Sequence, residues 1–124
     1  MFETMRRLLT PLTILASFGN DALTIAEEGN QSGMVPSQPM AISYREHPEV
    51  FEHPRYLVAD IEQGAALVRK AIYQMAKGRL PLVAPRIVVS VERSIPGGVA
   101  ATDRKMLEDV FIRAGARKVV WKNV

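Results

Sequence analysis

Few residues in this sequence have chemical reach: His47 and His53 with Glu49 and Glu52 between them, and the separate carboxylates Asp60 and Asp103. Two imidazoles six residues apart, with glutamates nearby, have the donor types of a divalent-metal site. The same stretch, His47-Pro48-Glu49-Val50-Phe51-Glu52-His53-Pro54, is broken by prolines, and its simpler reading is a polar loop. No metal set is assigned from it. Asp60 and Asp103 each precede a helix-periodic run, where an acid stabilises a helix start without any chemistry. Metal-dependent phosphoryl transfer or nucleic-acid hydrolysis needs clustered carboxylates, and the apolar segment 13–16 contains none. The chain has no cysteine, which removes disulfides, thiolate metal sites and thiol nucleophiles.

The 124 residues suffice for one domain, and 48% of them are apolar, within the ordinary globular range. The net charge is +3 with no run of five like charges, so the sequence carries no mark of a nucleic-acid surface. The stretch 8–18 leans apolar but is interrupted by Thr10, Pro11 and Thr13 and is too short to span a bilayer. No small-residue cleavage site follows it, so the expected compartment is the cytoplasm.

The elements that would position these residues follow from pattern. Thr13 to Ala16 reads as a strand, Gly19-Asn20-Asp21 as a hairpin turn and Ala22 to Ala26 as the returning strand. A looser turn spans 27–33, and Met34 to Ser43 supplies a third strand that Pro36 and Pro39 confine to an edge. Tyr44 to Arg55 reads as a polar connection. Asp60-Ile61-Glu62-Gln63 has the form of a capping box, and Ile61, Ala65, Val68, Ile72 and Met75 make one helical face, with Gly78 as a stop. Pro81 and Pro85 bracket a linker, and Arg86 to Val91 is a β-branched strand expected to be covered on both faces. Thr102 opens a second helix with Met106, Leu107, Val110, Phe111 and Ala114 inward and Gly115 at its end. Lys118 to Trp121 is the last strand. The order β-β-β-α-β-α-β predicts an α/β fold with a five-stranded mixed sheet, antiparallel in its first half and parallel in its second.

Three stretches carry a family resemblance. Pro85-Arg86-Ile87-Val88-Val89-Ser90-Val91 is similar to a strand that reads PRVVVxVP in the MreB family of bacterial actins. Asp103-Arg104-Lys105-Met106, continuing without a gap to Ala114-Gly115-Ala116-Arg117-Lys118-Val119, resembles the following helix, E-[RK]-R-A through A-G-A-[RK]-x-V. Leu57-Val58-Ala59-Asp60 is similar to the GVIADF stretch that opens the preceding helix. The element order is also that of the first subdomain of the actin, heat-shock-chaperone and sugar-kinase superfamily, whose core is a ribonuclease-H-like sheet. The resemblance is strongest over 85–121, moderate over 56–76 and weak before 43. It implies an actin-like, ribonuclease-H-like subdomain over 13–124.

The departures from that pattern bear on function. The family's first strand ends in a D-x-G-T motif that wraps phosphates and positions a metal, and the aligned residues here are Leu15-Ala16-Ser17-Phe18. Leu15 stands for the acid, Ser17 for the glycine and Phe18 for the phosphate-contacting hydroxyl, so the loop reads as degenerate and no cofactor is expected. Asp103 stands where the family places an acid that helps position the attacking water, which makes it a weak catalytic candidate beside its reading as a helix-start acid. Residues 44–55 are too few for the family's inserted small subdomain, and the second lobe that completes the nucleotide cleft has no counterpart. The expectation is a truncated first subdomain.

Residues 1–12 form a possible amphipathic segment. On a helix, Phe2, Met5, Leu8 and Leu9 share a face and Arg6 and Arg7 point elsewhere, an arrangement suited to an anionic membrane surface or to docking on the domain's own sheet. The functional expectation is a non-catalytic MreB-like interaction protein. Its partner would be a full-length actin homologue or the cell-shape machinery at the inner face of the membrane. The final strand, Lys118, Val119, Val120 and Trp121, is its candidate partner edge. The alternatives are a residual ATPase-like nucleotide-binding domain and a folded relic.

Overall fold

The computed structural model describes residues 13–28, 38–53, 56–75, 84–93 and 101–122. Strand β1, Thr13–Phe18, is the centre of a five-stranded sheet of order β3-β2-β1-β4-β5. It pairs antiparallel with β2, Ala22–Glu27, which pairs antiparallel with β3, Met40–Ser43. On its other side it pairs parallel with β4, Arg86–Val91, and β4 pairs parallel with β5, Lys118–Lys122. The mixed α/β sheet and its two halves therefore follow the expected pattern. β1 runs two residues beyond the expected strand, to Phe18, and β3 begins only at Met40, with residues 34–37 outside the described set.

The polar connection expected over 44–55 is instead part of the core. Tyr44–Glu46 form a 3-10 turn and Pro48–Phe51 a short helix, α1, and Tyr44, Val50 and Phe51 are all buried. Pro48 fits the first helical position because an amide hydrogen there would have no intrahelical partner. The Val50 and Phe51 amides donate to the His47 carbonyl at 3.0 and 3.1 Å, which folds the apolar pair inward.

Helix α2, Ile61–Met75, starts at its expected cap: the Asp60 carboxylate accepts from the Gln63 amide at 3.0 Å and from Gln63 Nε2 at 3.1 Å. Val68, Ile72 and Met75 are buried along its inner face, Ile61 partly so. Helix α3, Ala101–Arg113, begins one residue before Thr102 and buries Leu107, Val110 and Phe111. It ends as the Gly115 pattern predicts, because Gly115 takes φ +114° and its amide donates to Ile112 while Ala116 donates back to Phe111. A side chain at Gly115 would strain that backbone.

All three helices contribute to one cluster, against Ile14, Ala16, Phe18, Leu23, Ile25, Ile87 and Val89 on one sheet face. The alternate residues Thr13, Leu15, Ser17, Arg86, Val88 and Ser90 lie on the other face and are half-buried, with no described helix over them. Among the described residues, the helices cover β4 on one face. Its run of β-branched residues reflects strand preference as much as burial.

Gly64 of α2 is closely packed between neighbouring segments. A β-carbon there would sit 2.7 Å from Val58 Cγ1 and 3.7 Å from both Val110 and Val50. Alanine ordinarily favours a helix interior over glycine by about 0.5–1 kcal/mol, whereas overpacking a buried, β-branched neighbour costs about 1–3 kcal/mol. Gly64→Ala should therefore lower the unfolding free energy by about 1 kcal/mol in a denaturant titration. An increase would show that Val58 yields freely.

Candidate functional site

In open α/β sheets, ligands gather at the carboxyl ends of the parallel strands, here the ends of β1 and β4. Because side chains alternate along a strand, carrying β1 to residue 18 sends Phe18 to the helix side and leaves Leu15 and Ser17 on the open face. The Phe18 ring is fully buried and meets Phe111 edge-on, with centroids 6.3 Å apart at 69°. Phe18 thus does not obstruct the hairpin as an outward side chain; it withdraws into the core. Ser17 Oγ lies 3.0 Å from Ser90 Oγ across the strands, and Leu15 sits between Ala26 and Val88 in the register.

The backbone polar groups at this end are turned on one another. The Gly19 amide donates to the Ala22 carbonyl at 3.0 Å, and the Phe18 carbonyl accepts from the Glu92 and Arg93 amides at 2.8 and 2.9 Å. The Tyr44 hydroxyl donates to the Gly19 carbonyl at 2.8 Å, and the Tyr44 amide donates to the Asp21 carbonyl at 3.1 Å. Leu15, in an apolar row with Ala26 and Val88, offers no carboxylate for a metal-bound nucleotide at this end of β1.

Asp103 lies in the first turn of α3 and is buried. A carboxylate there is favoured by the helix dipole. Asp60 uses both carboxylate oxygens on Gln63. His47 precedes α1 and holds it through its carbonyl, while His53 stacks on Tyr56 at 4.8 Å and accepts the Tyr56 amide on Nδ1 at 3.1 Å. Among the described residues, no three histidine, aspartate or glutamate side chains gather as a metal site.

Tyr44 organises a corner that the sequence did not announce. Its ring is tilted against Phe51 at 5.2 Å, and the Arg93 guanidinium lies 4.7 Å from its centroid while donating to the Phe51 carbonyl at 2.8 Å. The only sequence signal was an apolar pair, Val50-Phe51, inside an otherwise polar stretch.

The second candidate region is β5, which is an edge strand as expected. Its four proposed contact residues divide between the two faces. Val119 and Trp121 face the helices: Trp121 Nε1 donates to Glu108 Oε1 at 3.1 Å, and the Arg104 guanidinium lies 5.7 Å from the ring centroid. Trp121 thus lies on the edge strand with its ring half-buried, because strand parity sets it beside α3. Lys118 is exposed and Val120 half-buried on the open face, where Lys122, outside the expected strand, joins them. The candidate membrane residues Phe2, Met5, Arg6, Arg7, Leu8 and Leu9 lie outside the described residues. Among the described residues, no helix is long and apolar enough to cross a membrane.

Burial pushes the Tyr44 hydroxyl up from 10.0 to about 12, with Arg93 opposing the shift and Asp21 adding to it. The folded chain keeps this proton where the unfolded chain releases it. The associated stability is therefore full below about pH 10 and is lost as pH rises toward about 12. An ultraviolet phenolate titration should show one tyrosine ionising late, at about pH 12, and Tyr44→Phe should remove that step. Neither a protein-family model nor a curated protein sequence matches this chain.

Proposed function

We propose that the chain is a non-catalytic, MreB-like interaction protein that binds a full-length actin homologue, or other cell-shape machinery, at the inner face of the membrane. The fold reading behind it is an actin-like, ribonuclease-H-like subdomain. Two observations support that reading: the element order, and a mixed sheet whose meander half and parallel half meet at the central strand. Support for an interaction role comes from one observation above the others. The hairpin end of β1 is spent on packing and internal hydrogen bonds, while β5, among the described residues, leaves a strand edge unpaired within the sheet. An edge of that kind takes partners by strand addition.

The test is co-sedimentation of the full chain with polymers of a full-length bacterial actin homologue. Saturable pelleting at micromolar concentrations is expected, and its absence at about 50 μM, a weak-binding regime, would contradict the reading. Residues 1–12 supply the membrane contact. Phe2→Glu with Leu9→Glu should lower binding to anionic vesicles by about tenfold or more, since each loses burial of a large apolar side chain. The melting temperature should not change; a lower one would place these residues in the core instead.

A further inference from the structure

We infer that the β5 edge, with the basic strip beside it, accepts an acidic extended peptide segment as a sixth strand, a deepening that rests on the proposed interaction role. Among the described residues, β5 is hydrogen-bonded only to β4 within the sheet, which leaves the other side of its backbone ladder unpaired there. On the open face its side chains are Lys118, Val120 and Lys122, and Arg86 stands beside Lys118 in the β4 register. The outward residues of the three parallel strands are otherwise Thr13, Leu15, Ser17, Val88 and Ser90, so this half of the face carries cations and no carboxylate. Both lysines are exposed.

The same residues argue against a second copy of the chain as the occupant. Antiparallel pairing of two β5 strands about Val120 would set Lys118 of each opposite Lys122 of the other, and like charges directly opposite are unfavourable. A heterologous strand with the complementary pattern turns this repulsion into attraction. Side chains on one face repeat every second residue, so the pattern read by Lys118, Val120 and Lys122 is acid–x–aliphatic–x–acid, spanning about 13 Å. No stretch of this chain has that pattern, which further separates the partner from a copy of itself. The apolar row Ala26, Leu15, Val88 and Val120 continues the face toward the central strand and suits the aliphatic residue in the middle. A nucleic acid would meet the cations but leave the strand edge and this row unused.

The test is fluorescence anisotropy of the full chain with short labelled peptides. The probe has glutamate, threonine, isoleucine, threonine and glutamate in sequence; the controls are its lysine counterpart, an acidic probe with alternate backbone amides methylated, and a single-stranded DNA of matched length. Saturable binding of the acidic probe is expected. It should weaken about tenfold on Lys118→Glu with Lys122→Glu, and the lysine peptide should then bind the variant. Backbone methylation should abolish binding. Binding that survives methylation, tighter binding of the DNA, or no binding of the acidic probe would each overturn the inference. Because the methylated probe is read on the unaltered chain, the result stands even if the charge-reversed variant folds poorly. Peptide binding without filament pelleting would keep this edge and remove the actin-homologue reading; pelleting that ignores the two lysines would do the reverse.

Discussion

The structure depends on the burial of one face of its central strand. Ile14, Ala16 and Phe18 of β1 have no solvent exposure, and each faces the cluster built by all three helices. Four strands take their position from β1: β2 and β4 pair with it directly, and β3 and β5 pair with those. Phe18 does most at the far end, where its ring meets Phe111 and its carbonyl receives two amides from the end of β4. Losing so large a fully buried ring ordinarily costs about 3–5 kcal/mol. A domain of this size has a net stability of only about 5–15 kcal/mol, so this packing is not optional.

That constraint also shapes what the hairpin can do. A strand that keeps its alternation to its last residue must send residue 18 into the core, and the backbone that follows closes on itself through Gly19, Ala22 and Tyr44. A phosphate loop needs the opposite arrangement, with amides free and pointing outward. Leu15, Ser17 and Phe18 therefore divide the end of β1 between them: one apolar residue for the open face, one hydroxyl for a cross-strand contact, one ring for the core. The outward surface that remains distinctive is the far edge of the sheet, where β5 alternates between Trp121, held by Glu108, and lysines in solvent.

Much of the fold was legible because it is written in short-range patterns. The cap at Asp60, the inner face from Ile61 to Met75 and the stop at Gly115 are each local devices, and each stands where the sequence puts it. Strand order within the meander follows from the two-residue turn at Asn20-Asp21. What was not legible depends on three-dimensional neighbours. Val50 and Phe51 are buried because Tyr44 and Arg93, the latter 42 residues from Phe51, assemble around them, and no periodicity in a four-residue helix reveals that. Which face of β4 meets the helices cannot be read from its β-branched run, since a strand covered on one face or on both favours the same residues. Strand parity and a contact with α3 put the Trp121 ring on the helix side of the β5 edge, which a four-residue apolar run does not reveal.

On this reading the β1–β2 hairpin serves as core and not as a nucleotide loop. Titrating Mg-ATP into the isotope-labelled full chain while following amide resonances tests it most directly. No saturable shift is expected at Ser17, Gly19, Asp21 or Asp103 at millimolar nucleotide. Saturable shifts confined to those amides would contradict it and return the chain to the nucleotide-binding class.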